Sequence, residues 1–212
     1  MNFKLKILES NKTIIRAISE ALLPEVKIFM DGAFSTIKKE LPNIVSTAIY
    51  NSPEYNSLIN GKLKYEFGLV DADIKVKGLL DIWINNINYD YNPPAIVSGR
   101  IKSKFSASLI KIDFSDVLGT SFAEMTDIAR GYSLPWLEWL LLDGTKTIID
   151  QYDVIIGPNE YSRTGYAIMS PSSRSWSVPS EFAGSVGDNW ITRSIDSASS
   201  QINQLLMKAL TK

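Results

Sequence analysis

The sequence predicts an α+β fold: helices first, a mostly antiparallel β-sheet in the second half, and a C-terminal amphipathic helix packed on that sheet. Three observations carry this. Apolar residues recur at helical spacing from Thr13 to Tyr50 and again from Val76 to Ile87; Ile101 to Ala107 alternates in the manner of a strand; and helical spacing returns after Gly187. At 212 residues the chain suits one domain. A chain of that size buries about 70% of its unfolded surface without help from a metal or disulfide.

In the first 50 residues, a helical arm, Ile14, Ile18, Leu22, Val26, Phe29, Ile37, Leu41 and Val45 mark the periodicity. Pro24 and Pro42 lack an amide donor and disfavour helical geometry before them, which predicts breaks or kinks there. Asn51, Ser52 and Pro53 stop the helix. Residues 51–95 read as a helix with loops: Tyr55 to Leu69 is a connector, Asp71 or Asp73 caps a helix, and Val76, Leu79, Leu80, Trp83, Ile84 and Ile87 form its apolar face. Asn85 to Pro94, with its tyrosines and paired prolines, reads as a turn or loop.

Residues 96–187 form the strand-rich core. Ile101, Phe105 and Ala107 share one strand face and Arg100, Lys102 and Lys104 the other. The apolar set then switches parity to Ile110, Ile112 and Phe114, which predicts a bulge or strand end. A loop with a short helix follows from Ser115 to Tyr132, and Pro135 opens a second short helix carrying Trp136, Leu137, Trp139, Leu140 and Leu141, ended by Gly144. Thr147 to Ile156, Gly165 to Met169 and Ser175 to Val178 read as strands punctuated by hairpin residues. Asp188 is a good N-cap for the C-terminal helix, residues 188–212, whose apolar set is Ile191, Ile195, Ala198, Ile202, Leu205, Leu206 and Ala209.

Composition excludes several chemistries. The chain contains no cysteine and no histidine, which removes disulfides, thiolate or imidazole metal sites and the usual nucleophile–histidine pairs. With 22 basic and 23 acidic side chains the net charge is -1, so any contact with nucleic acid must be local. The first residues, MNFKLKILESNK, lack the apolar run of a signal peptide, and no apolar run reaches the length of a membrane span, so the expectation is synthesis in the cytosol with no membrane partner.

Four clusters offer chemistry beside a plainer account. Asp71, Asp73 and Asp81 would suit Mg²⁺ and a carboxylate-metal hydrolase, but charges at a helix start and on its solvent face explain them more simply. Ser162-Arg163-Thr164-Gly165 mixes phosphate-binding groups but lacks the spacing and lysine of a P-loop, and a turn explains it more simply. Trp136 and Trp139 would stack on sugar, as in a carbohydrate-binding module, or pack in the core. Arg100, Lys102 and Lys104, with Lys111 beyond them, form a compact basic strip able to face DNA phosphates or to protect an edge strand.

Three segments, SPEYNSLINGKLKYEFGL at Ser52 to Leu69, LPWLEWLLLDG at Leu134 to Gly144, and the stretch from Ser162 to Ile195 beginning SRTGYAIMS, together resemble the tail-completion, or head-tail joining, proteins of tailed bacteriophages. The resemblance runs from about Ala33 to Ile195 in the family order. It implies a non-enzymatic virion protein of the neck, needing no cofactor, that forms a sixfold or twelvefold ring between portal-connector and tail and lines the DNA channel. Its partners would be itself, the connector or its adaptor, and the tail tube or tail terminator protein, with non-specific contact to genomic DNA. A tail terminator ring is the alternative within the same assembly. Interface positions on this reading are Trp136, Trp139, Arg163, Trp190 and Arg193, with Arg100, Lys102 and Lys104 towards the channel.

Overall fold

The computed structural model describes residues 9–108, 114–127 and 131–211. The chain is α+β, with eight helices and six strands among the described residues, and it divides into two compact units. The first comprises Met1–Leu41, Asn88–Ser108 and Asn203–Lys212; the second comprises Pro42–Ile87 and Leu109–Ile202. The strands are antiparallel throughout and pair as three separate two-stranded sheets.

In the first unit, helix α1 (Asn11–Tyr50) contributes its first three-quarters. It runs as one helix through Pro24 and Pro42, where breaks or kinks were expected, so neither proline breaks it. At Pro42 the missing amide would have served the carbonyl of Lys38, and that oxygen instead accepts the Tyr89 hydroxyl at 3.4 Å. Pro24 and Glu20, whose carbonyl loses its amide partner to the proline, are both exposed residues, so the gap in the ladder lies on a solvent-facing turn. Strands β1 (Asn88–Val97) and β2 (Arg100–Ser108) form a hairpin whose two-residue turn, Ser98 and Gly99, has both φ angles positive, as the right-handed strand twist demands.

The tyrosine- and proline-rich segment expected to be a loop is therefore mostly strand. Pro93 and Pro94 sit in the register shift between Asn92 and Ala95, a bulge on a two-stranded ribbon that leaves one edge of β1 unpaired, so their missing donors cost little. Phe34 of α1 stacks on Tyr91, 4.5 Å between centroids, and meets Tyr89 and Phe105 edge-on. The Tyr91 hydroxyl donates to Asp31 at 2.6 Å, and the buried Ser19 hydroxyl donates to the carbonyl of Gly99. The last helix, α8 (Ser199–Leu210), buries Leu205 and Ala209 and pairs Lys208 with Glu40 at 3.7 Å.

In the second unit the expected connector contains two short helices, α2 (Pro53–Asn60) and α3 (Lys62–Glu66). Ser52 both closes α1 and opens α2, its hydroxyl accepting from the amide of Tyr55 while Pro53 occupies the first turn. Helix α4 (Ala72–Asn85) buries Val76, Leu79, Leu80 and Trp83, the predicted face. Then come α5 (Ser115–Leu118), the hairpin of β3 (Met125–Asp127) and β4 (Tyr132–Leu134), α6 (Trp136–Leu141), the hairpin of β5 (Tyr152–Ile156) and β6 (Ala167–Pro171), and α7 (Trp190–Ser197). The predicted strand from Thr147 is shorter because Gln151 takes a left-handed φ of 58°, leaving Ile149 and Trp176 joined by a single bridge. The predicted parity switch at Ile110 and Ile112, and Lys111, lie outside the described residues.

The predicted C-terminal helix is two helices that meet at Ala198, and its cap is Asn189, one residue after Asp188. The Asn189 side chain accepts the amides of Ile191 and Thr192, and the Thr192 hydroxyl accepts the amide of Asn189, a reciprocal box that an aspartate engaged elsewhere does not supply. Asp188 is held by Arg193 at 3.0 Å.

Candidate functional site

The three segments that carry the phage resemblance all lie in the second unit, and side chains join them in pairs. Ser52, already capping α2, accepts the indole N–H of Trp190 at 2.8 Å. Two residues on, Glu54 lies in the first turn of α2 and is almost wholly buried, 2% exposed. Arg193, one turn after Trp190 on α7, reaches its Oε1 from Nε at 2.9 Å and from Nη2 at 2.8 Å. The remaining guanidinium hydrogens go to the carbonyls of Phe182 and Ala183 and to Asp188. A forked donor of this kind supplies the hydrogen bonds that a buried carboxylate needs in place of water.

Phe67 at the end of α3 packs against Trp136 and Trp176, and Trp176 in turn meets Trp139 edge-on at 6.0 Å. The Trp176 indole donates to Glu66, whose carboxyl is pushed up by burial against the opposing pull of Lys62 and that hydrogen bond. Gly144, closing the second segment, donates its amide to the carbonyl of Gly184 in the third. Both glycines are required: a β-carbon on Gly184 would collide with the carbonyl oxygens of Leu140 and Leu141, and one on Gly144 with the backbone of Ala183 and Gly184. Arg163 lies against Gly68, whose φ of 67° and lack of a side chain make room for the guanidinium.

Beside the Glu54–Arg193 pair runs an open groove of about 320 Å³, lined by Thr47, Asn51, Ser197 and Gln201 among others. Its carboxylate and guanidinium are paired with each other. Glu181, which also lines the groove, is exposed and lies 3.8 Å from Lys62, so the groove presents a polar surface with one acidic edge.

The predicted interface residues separate accordingly. Trp136 and Trp190 are fully buried in the core of their own unit and offer no surface to a neighbouring subunit or a sugar. The Trp136 indole is satisfied by the carbonyl of Phe122. Trp139 is half-buried, and Arg193 is turned inward to Glu54. The Ser162 to Gly165 segment is a turn: the Ser162 and Thr164 hydroxyls bond each other, Ser162 accepts the amide of Ala167, and Gly165 has a φ of 74°. Asp71 and Asp73 flank the start of α4 and Asp81 is exposed ten residues beyond Asp71, about 15 Å along a helix, so one cation cannot bridge all three. Sequence reading missed Glu54, Glu66 and Trp176, since nothing local announces a partner 110 or 139 residues away.

In the first unit Arg100, Lys102 and Lys104 all face solvent from β2. The division into units also exposes a charge partition that the whole-chain value conceals. The first holds 12 Lys and Arg against 6 Asp and Glu, a net of +6; the second holds 10 against 17, a net of -7; together they give the -1 of the chain. No helix among the described residues is long and apolar enough to cross a membrane. No family model matches the chain, and no curated protein or solved structure matches it.

Proposed function

We propose that this chain is a virion structural protein of a tailed phage: a non-enzymatic neck, or tail-completion, adaptor that forms a ring joining the portal-connector to the tail. The observation that supports the reading is the convergence of its three resembling segments into one packed core, with Ser52–Trp190, Glu54–Arg193 and Phe67–Trp136 as the ties. A shared pattern of that kind specifies a scaffold, and a scaffold is what an adaptor supplies. Its work is binding: one surface meets the connector, another the tail tube, and copies bury complementary faces around a channel. In such a ring the strip Arg100, Lys102 and Lys104 is repeated once per subunit, so a few cations become a band able to contact passing DNA without sequence preference.

The test is reconstitution. Purified chain mixed with the portal-connector assembly of its own phage would sediment with it at a fixed ratio of six or twelve copies, and electron micrographs would place the added mass at the tail-facing end. A chain that stays at the top of the gradient, while the connector remains competent to bind its other neck proteins, overturns the proposal.

A further inference from the structure

The groove beside Glu54 and Arg193 holds a carboxylate oxygen that the protein leaves unused. Glu54 lines the groove, its side chain is 3% exposed, and both hydrogen bonds from Arg193, at 2.8 and 2.9 Å, end on Oε1. Its Oε2 accepts no hydrogen bond from the described residues. Nor is that oxygen sealed in, since the enclosed side-chain oxygens without a partner are those of Asp71 and Asp116. A carboxylate oxygen without a donor is costly in an interior, and one that opens on a groove takes its donor from outside.

The helices around the groove call for a donor that is a cation. Helix α1 ends in its wall with Thr47 and Ala48, and α7 with Ser197. The carbonyl of Ala48 has lost its helical amide, because the N–H of Ser52 turns to Ile49 instead, at 3.1 Å. A helix C-terminus carries roughly half a negative charge. Neither last turn has a basic residue to offset it. Among the charged residues lining the groove, Glu54 and Glu181 face Arg193 alone, which leaves one negative charge in excess. The next charges out, Asp188 on Arg193 and Lys62 on Glu181, are one of each sign. A metal ion is poorly served, since no group of three or more metal-ligating side chains occurs among the described residues.

We propose that this groove binds one primary alkylammonium group, that of a lysine side chain from another polypeptide. Glu54 Oε2 takes one of its three N–H donors, Asn51 and Gln201 offer amide oxygens to the others, and Ala48, Pro53 and Ala198 cover the methylene stem. The single excess charge selects a monocation over a diamine. The open form of the groove, about 320 Å³, admits a side chain carried on a backbone that stays outside. Such a site acts in a monomer and in a ring alike, so it is separable from the neck reading.

The experiment titrates the isotope-labelled full chain with Nα-acetyl-lysine N-methylamide and follows the indole N–H resonances by NMR. That of Trp190 reports the groove, because it is bonded to Ser52 in the groove wall. A saturable shift with a dissociation constant of about 1 mM is expected, the scale of one set of charge-assisted contacts to a small ligand. The norleucine analogue, which lacks the ammonium, is expected to bind at least about 10-fold more weakly, and the lysine probe is expected to lose as much on Glu54→Gln. Thr47→Lys, at an exposed position, supplies an ammonium to the end of α1 from within the chain. It is expected to fold as wild type and to weaken the probe by at least about 10-fold, which decides the matter should Glu54→Gln fail to fold. The diamine 1,5-diaminopentane is expected to bind within about 10-fold of the lysine probe. No saturable shift up to about 50 mM probe, a norleucine analogue that binds as well, or a loss of less than about 10-fold in either folded variant overturns the site. A diamine more than about 10-fold tighter overturns the lysine assignment.

Discussion

Replacing Arg193 by alanine tests whether the core of the second unit is built as described. Its partner Glu54 is 2% exposed and receives two guanidinium hydrogens at 2.8 and 2.9 Å, so truncation strands a carboxylate in the interior. Breaking a buried pair in this way costs about 3–5 kcal/mol. Arg193 itself is one-third exposed and water can enter the space it leaves, which favours the lower end, about 3 kcal/mol. Its bond to the exposed Asp188 adds little. For a chain of this size that corresponds to a fall of about 6–12 °C in melting temperature. The assay is urea unfolding followed by tryptophan fluorescence, which reports the second unit alone because all five tryptophans belong to it. Glu54→Ala and the double variant complete a cycle; removing both charges recovers stability, giving a coupling of at least about 2 kcal/mol. A coupling below about 0.5 kcal/mol would refute the buried-pair account.

Gly184→Ala is expected to destabilise by about 1–3 kcal/mol or more in the same assay, because its β-carbon meets rigid carbonyls and not a movable side chain; an unchanged midpoint counts against the close approach of the two segments. Glu66 has a folded pKa raised by burial, so the penalty for its charge is present above that pKa and absent below the unfolded value of about 4.3. Glu66→Gln should therefore raise stability at pH 7–8, with the gain vanishing as pH falls to about 4; a pH-independent difference would contradict the linkage. Pro24→Ala, on an exposed turn of a continuous helix, restores a donor and is expected to raise the helical melting transition seen by circular dichroism by up to about 3 kcal/mol in stability, whereas a fall would mean that the helix depends on the proline.

The elements legible in the sequence are those with a strong period: α1, α4, the strand carrying Ile101 and Phe105, and the apolar run after Gly187 all follow the spacing of their buried residues. What was not legible depends on partners distant in sequence. Pro42 does not break α1 because Tyr89, 47 positions on, takes the orphaned carbonyl, and Pro93 and Pro94 are accommodated only because β1 has a free edge. The aromatic signature positions were visible as residues, but which of them face inward was not: LPWLEWLLL reads as core or as subunit packing until Phe67 and Trp176 are set against it. The charge partition was hidden for a related reason, since the basic unit is assembled from three stretches separated in the chain.

That discontinuity has a consequence for biosynthesis. Residues 1–41 leave the ribosome first, yet their unit is complete only when residues 203–212 have been made, because Leu205 and Ala209 are buried there and Lys208 pairs with Glu40. The second unit, apart from the excursion through the β1–β2 hairpin, is finished earlier. The order of emergence is thus the reverse of the order of completion, and the long sequence separation makes closure of the first unit the slow event. Until residues 203–212 emerge, the early helix lacks the segment that completes its unit, so its folding waits on a part of the chain made long after it.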